Sequence, residues 1–160
     1  MSTVGPVLSE PPKFNHVAMS VPGDLLDAGG RAAICEFYGD VFGFVEHPQM
    51  TEDRQRLVLG AHTVEQFVFL VAQDEPMRAH HHDHYGMSVA TKADFDEIAA
   101  RAAAWKAKLP DEVVLDGPDV EEHHGALRLH SFYVSYRLPL TVEVQWFDWL
   151  IDVGALAPGT

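Results

Sequence analysis

The sequence predicts an α+β fold of two βαβββ modules whose curved, mixed sheets form one cup. Two observations carry that prediction. The stretch "HVAMSVP" beginning at His16 recurs as "HYGMSVA" beginning at His84, with His, Met, Ser and Val coinciding. A repeat fixes which positions are equivalent before any single motif is read. Each copy is also followed by the same succession, one stretch with helical spacing of apolar residues and then three short stretches of strand character. A weaker echo, "HTVEQFVF" against "LTVEVQWF", supports the same division. The modules span about residues 14–75 and 83–150 of a single domain, 14–150.

Taken in order, residues 1–13 carry Pro6, Pro11 and Pro12 and read as an extended tail. "FNHVAMSVP" alternates, which puts Phe14, His16, Ala18 and Ser20 on one strand face. "PGDLLDAGG" reads as a loop. "RAAICEFYGDVFG" sets Ala33, Phe37 and Val41 at helical spacing and stops at Gly43, suited to a helix C-terminus. "FVEHPQ", "RLVLGA" and "VEQFVFLVAQ" read as three strands. In the second module "HYGMSVA" is a strand, and Thr91 caps the Ala-rich helix "KADFDEIAARAAAWKAKL" with Asp94 three residues on, in the manner of a capping box. That helix presents Phe95, Ile98, Ala102 and Trp105 on one face and ends at Pro110. "EVVLDGPDVEE", "ALRLHSFYVSYR" and "LTVEVQWFDWL" supply three more strands, and 151–160 reads as a loose tail.

Composition excludes several function classes. The 160 residues suit one domain, and 47% apolar residues can build a core. A net charge of −13 argues against nucleic acid and anionic membranes, which both require Lys/Arg patches. The lone Cys35 cannot close an internal disulfide or build a cysteine zinc site. No apolar run approaches a membrane span, and "MSTVGPVLSEPPK" lacks the apolar core of a signal peptide, so a cytoplasmic protein is expected.

Ten histidines are the one compositional oddity, and "RAHHHDHYGMSVA" concentrates four of them. The repeat singles out His84, the counterpart of His16, as the residue on equivalent strands facing one cavity. His80, His81 and His82 belong to the approach loop, where they line the mouth of the cup or do nothing. A third donor is expected from a late strand. Glu143 stands between Val142 and Val144, where an unpaired carboxylate is costly to bury, with Thr141 and Gln145 on its own face. The competing reading is a solvent-facing Glu on a half-buried strand. Two imidazoles and a carboxylate form a facial set with open coordination positions, open to Fe(II), Mn(II), Zn(II), Ni(II) or Co(II).

These residues resemble the vicinal oxygen chelate superfamily over about 14–150. "CEFYGDVFGFVE" is similar to its first-helix signature, "FNHVAMSV" and "HDHYGMSV" to its two His-bearing strands, and "TVEVQWF" to its Glu-bearing strand. The resemblance implies His16, His84 and Glu143 as metal ligands, and a homodimer. "HHGALRLHSFYVSYRLPLTVEVQWF" further resembles the catalytic segment of type I extradiol ring-cleaving dioxygenases. There an active-site Tyr lies ten residues before the metal Glu and a His nineteen before it, which implies Tyr133 and His124. The "SFY" portion also occurs in metal-dependent fosfomycin-resistance transferases. Two departures stand out: "RLPLT" replaces the usual turn before the Glu, and the family's acid/base His has no match around "FVFLVAQD".

The resemblance implies a non-haem Fe(II) dioxygenase acting on a catechol-like or other vicinal-oxygen small molecule. Tyr133 would hydrogen-bond a substrate oxygen, and His124 would orient the substrate or move a proton. The alternatives are a glyoxalase-like lyase or epimerase and a metal-free, drug-sequestering protein. Lyase relatives add a fourth ligand from the fourth strand. Strand length puts Phe69 there, whereas the "TVEQ"/"TVEV" echo puts Glu65 there.

Overall fold

The computed structural model describes residues 12–154, so the expected tails 1–13 and 151–160 lie mostly outside the described residues. Within this span run β1 (His16–Val21), α1 (Ala28–Phe42), β2 (Val45–Glu46), β3 (Arg56–Gly60) and β4 (Phe67–Ala72). The second module repeats the order with β5 (His84–Ser88), α2 (Lys92–Lys108), β6 (Val113–His123), β7 (Leu127–Tyr136) and β8 (Thr141–Trp149). Both βαβββ modules are therefore present.

The helices begin and end on local chemistry. The Asp27 side chain accepts the Gly30 N–H at 2.8 Å, an N-cap that starts α1 ahead of the expected Arg31. A short 3-10 turn, Gly23–Leu26, occupies the segment read as loop. Gly30 lets α1 pass against that turn, because a methyl group there would collide with the Leu25 carbonyl. Gly43 closes α1 in the left-handed conformation, φ 74°. At α2, Thr91 Oγ1 accepts the Asp94 N–H at 3.1 Å and donates to its carboxylate at 2.6 Å. The second strand is shorter than "FVEHPQ" suggests, with only Val45 and Glu46 in the ladder, since Pro48 has no N–H to continue it.

The two sheets share one topology, β1-β4-β3-β2 and β5-β8-β7-β6. In each, the first strand pairs parallel with the last, and the remaining pairs are antiparallel. Register aligns the repeat residue by residue. Ala18, two beyond His16, lies opposite Phe69; Gly86, two beyond His84, lies opposite Glu143.

Alternation gives every strand a helix-facing side. Met19, Val21, Leu57, Leu59 and Leu70 are buried in the first module, and Phe132, Val134, Val142 and Val144 in the second. Each such side chain contributes roughly 1.5–3 kcal/mol on burial. The modules join through their helices. The Phe37 ring meets Trp105 edge-on at 5.4 Å, the Tyr38 hydroxyl donates to the Tyr136 carbonyl at 3.2 Å, and the Trp105 indole N–H donates to Asp40 at 2.7 Å. The opposite sheet faces are left without a helix. Among the described residues no helix is long and apolar enough to cross a membrane.

Candidate metal centre

Glu143 faces away from the core because its neighbours Val142 and Val144, 0% and 1% exposed, face into it. It is nevertheless 9% exposed, the only buried charged residue among those described. A desolvated carboxylate is costly without partners, and two are supplied. Tyr133 stands directly opposite on β7 and donates its hydroxyl to Oε1 at 2.7 Å. His84 Nε2 lies 3.3 Å from Oε2, and its ring meets that of Tyr133 edge-on. The bond to Glu143, then burial, then the negative charges of Glu143, Asp116 and Glu121 push the Tyr133 phenol up to about 12. It stays protonated at neutral pH.

The other face of His84 fixes its tautomer. Nδ1 lies 2.8 Å from the His82 carbonyl, which can only accept, so Nδ1 carries the proton. A neutral His84 then turns an Nε2 lone pair toward a carboxylate oxygen. The same 3.3 Å approach is an ion pair when Nε2 carries a proton and can be bridged by a divalent ion when it does not. A backbone carbonyl behind a ligating imidazole is the usual support of such a ligand. The pair therefore fits a divalent ion as two of its ligands.

His16 does not join them within one chain. It is exposed at the start of β1, stacked on Phe67 at 4.9 Å, with Nδ1 2.9 Å from Asn15 Oδ1. Among the described residues no three His, Cys, Asp or Glu side chains converge as a metal site. The structure brings His84 and Glu143 together and does not bring His16 to them within the single chain. β1 and β5 belong to separate sheets. A cleft of about 1020 Å³ separates them, lined by His16, Gln66 and Phe67 on one side and by Tyr85, Ser88 and Ile98 on the other.

The remaining candidates stand as follows. His124 occupies the β6–β7 turn, exposed and with φ 51°. Six residues of β7 between Leu127 and Tyr133 put it about 20 Å from Tyr133. The gap-free spacing that pointed to His124 therefore measures a long hairpin, and the structure does not bring it to the site. Glu65 lies outside β4, paired with Lys13 at 3.6 Å, and Phe69 holds the counterpart position of Glu143. His80, His81 and His82 stack on one another, with ring centroids of adjacent residues 4.1 and 3.9 Å apart, in the turn before β5. The His82 carbonyl is the hydrogen-bond partner of His84 Nδ1.

Asp116 and Asp119 were not legible as part of this face. Simple alternation would send them to opposite sides. A register shift between them, at the cis Gly117–Pro118 bond, sets Asp116 opposite Tyr133 and Asp119 opposite Ser131, both on the Glu143 side.

No protein-family model matches the chain, and no curated protein matches it. Solved structures do. A lactoylglutathione lyase from Agrobacterium tumefaciens superposes with TM-score 0.56 at 18% identity, over 85% of this chain and 94% of that one. A genomically encoded fosfomycin resistance protein from Listeria monocytogenes gives TM-score 0.56 at 14% identity, over 88% and 92%. A possible glyoxalase from Bacillus cereus gives 0.55 at 20% identity, over 82% and 96%. Repeat, strand order and these neighbours agree: the chain has the paired βαβββ fold of these solved structures.

Proposed function

We propose that the protein is a metal-dependent enzyme of the extradiol dioxygenase type, with Fe(II) as its ion and a small molecule bearing two adjacent oxygens as its substrate. His84 and Glu143 of one copy would hold the ion with His16 of a second copy in a homodimer. Phe14 and Val45, 96% and 66% exposed, lie near His16 and on its sheet, where a second copy would cover them. One observation carries the dioxygenase reading. Phe69 stands in register where a fourth donor would be, so the set ends at three protein ligands and leaves positions for both substrate oxygens and O₂.

When bound, the ion supplies Lewis-acid and redox chemistry. The chain's own groups orient. Tyr133 holds Oε1 of Glu143 and so leaves Oε2 directed at His84, and its oxygen can accept a hydrogen bond from a substrate hydroxyl. The His82 carbonyl keeps His84 Nε2 available as a donor.

The test is anaerobic Fe(II) loading followed by oxygen uptake with a panel of catechols. Uptake with a yellow ring-cleavage product supports the reading. Activity on a hemithioacetal, or four protein ligands around the ion, would replace it with the glyoxalase-like alternative. Failure to bind Fe(II), Mn(II) or Zn(II) would leave a metal-free binding protein. Sharing of the site is tested by mixing His16→Ala with Glu143→Ala chains. Each mixed dimer rebuilds one intact site, so about a quarter of the sites return at random pairing. No recovery refutes the shared site.

A further inference from the structure

The sheet face that carries His84 and Glu143 extends well beyond them. Along β8 the same side continues through Gln145 to Phe147 and Trp149, and on β6 it carries Asp116, Asp119 and Glu121. The Phe147 and Trp149 rings lie 6.1 Å apart and within 18° of parallel, and are 36% and 43% exposed. Asp116, Asp119 and Glu121 are all exposed, and Glu121 Oε2 lies 3.8 Å from His123 Nε2. Besides His84, His123 and His130, the four strands contain one Lys or Arg, Arg128. It points to the other side, where it pairs with Asp148 at 3.5 Å.

Two independent features of this face therefore favour the same sign of charge. Carboxylates attract cations directly, and aromatic faces attract them through the ring quadrupole. The spacing also suits one molecule. Two strand separations carry Asp116 about 10 Å from Glu143, and four residues along β8 carry Phe147 about 13 Å from it. We propose that this face selects a cationic, ring-bearing substrate, with its adjacent oxygens at His84 and Glu143 and its ammonium group beside Asp116, within the field of Asp119 and Glu121, and that it rejects anions. The inference rests on the metal-centre reading for the position of the oxygens and on this face alone for the charge.

The experiment measures binding to the full-length protein loaded with redox-inert Zn²⁺, by calorimetry. Three probes share the catechol and differ in charge: 4-(2-aminoethyl)catechol, 4-methylcatechol and 3,4-dihydroxyphenylacetate. At low salt the cation is expected to bind at least tenfold more tightly than the anion, with the neutral probe between them. The gap should narrow at 0.5 M NaCl, as screening requires. The combined variant Asp116→Asn, Asp119→Asn, Glu121→Gln should bring the aminoethyl compound to the affinity of 4-methylcatechol.

Equal affinities across the three probes, or a gap that survives in the variant, overturns the proposal. 2-Phenylethylamine, which has no adjacent oxygens, separates it from the metal-centre reading. Carboxylate-dependent binding of this amine without tight Zn²⁺ binding keeps the charge selection and sinks the metal centre; the opposite pattern does the reverse. Loss of the dimer in Phe147→Ser, Trp149→Ser, with amine binding intact, would reassign the ring pair to contact between copies and remove it from the substrate face.

Discussion

Replacing Tyr133 by Phe removes one hydroxyl and leaves the ring. The lost interaction is the 2.7 Å bond from Oη to Glu143 Oε1. A hydrogen bond to a charged group contributes about 1.5–3 kcal/mol. Tyr133 is only partly buried, and solvent replaces part of the bond, so a loss of about 1–2 kcal/mol is expected in the metal-free protein. At roughly 2–4 °C per kcal/mol for a domain of this size, that lowers the melting temperature by about 4 °C. In a Glu143→Gln background the acceptor is neutral, and Tyr133→Phe should cost less; the double-mutant cycle isolates the pair. The same bond orients the proposed ligand, so Zn²⁺ affinity should fall about 10- to 100-fold, the usual effect of removing a ligand's outer partner. Thermal melts and zinc titration of the four proteins measure both. If Tyr133→Phe melts within 1 °C of its parent in both backgrounds and binds Zn²⁺ equally well, the bond does not form in solution, and the arrangement inferred for Glu143 is wrong.

Other perturbations have equally definite outcomes. His84→Ala should abolish tight divalent-metal binding while His81→Ala leaves it intact, as read by metal content after dialysis; the reverse would mean that a different histidine is the ligand. All four tyrosines of the chain, Tyr38, Tyr85, Tyr133 and Tyr136, are held above the usual phenol range, Tyr133 chiefly by its bond to Glu143 and the others by burial. The folded chain keeps protons that the unfolded chain releases, so stability is full below about pH 10 and falls as pH rises toward 12. Absorbance at 295 nm should rise together with loss of the circular dichroism signal, and ordinary titration near pH 10 with the fold intact would contradict this. Thr91→Ala removes the cap of α2 and should cost about 1 kcal/mol in denaturant unfolding. Gly30→Ala should destabilise more than an ordinary Gly→Ala change in a helix, because its methyl meets the Leu25 carbonyl.

Much of this fold was legible because duplication wrote it twice. The His16/His84 repeat set the module boundaries, and helical spacing with a Thr91 cap and a Gly43 stop set the helices. The same repeat and the Val142–Glu143–Val144 alternation were enough to single out His84 and Glu143, since a strand with valines on its core side must turn the intervening carboxylate away. What failed depended on information that runs across strands or between modules. The ten-residue interval from Tyr133 to Glu143 corresponds to one rung between neighbouring strands, whereas the interval to His124 runs out to a hairpin tip. Asp116 and Asp119 share a face only because of a bulge, which alternation cannot foresee. Whether His16 meets His84 depends on how the two modules pack, and no local pattern encodes that.

The pairing of Phe69 with Glu143 has a further consequence. Two identical modules would build a cup with a twofold axis, and a bound molecule could enter it in either of two equivalent orientations. Here one duplicate kept a hydrocarbon ring where the other kept a carboxylate, and only the second acquired the acidic bulged strand. A cavity assembled from such unequal halves has a defined polarity. A molecule lying in it would present one of its two ends, and one of its two faces, to the proposed reacting centre, so regiochemistry would be decided by how the two modules differ at equivalent positions.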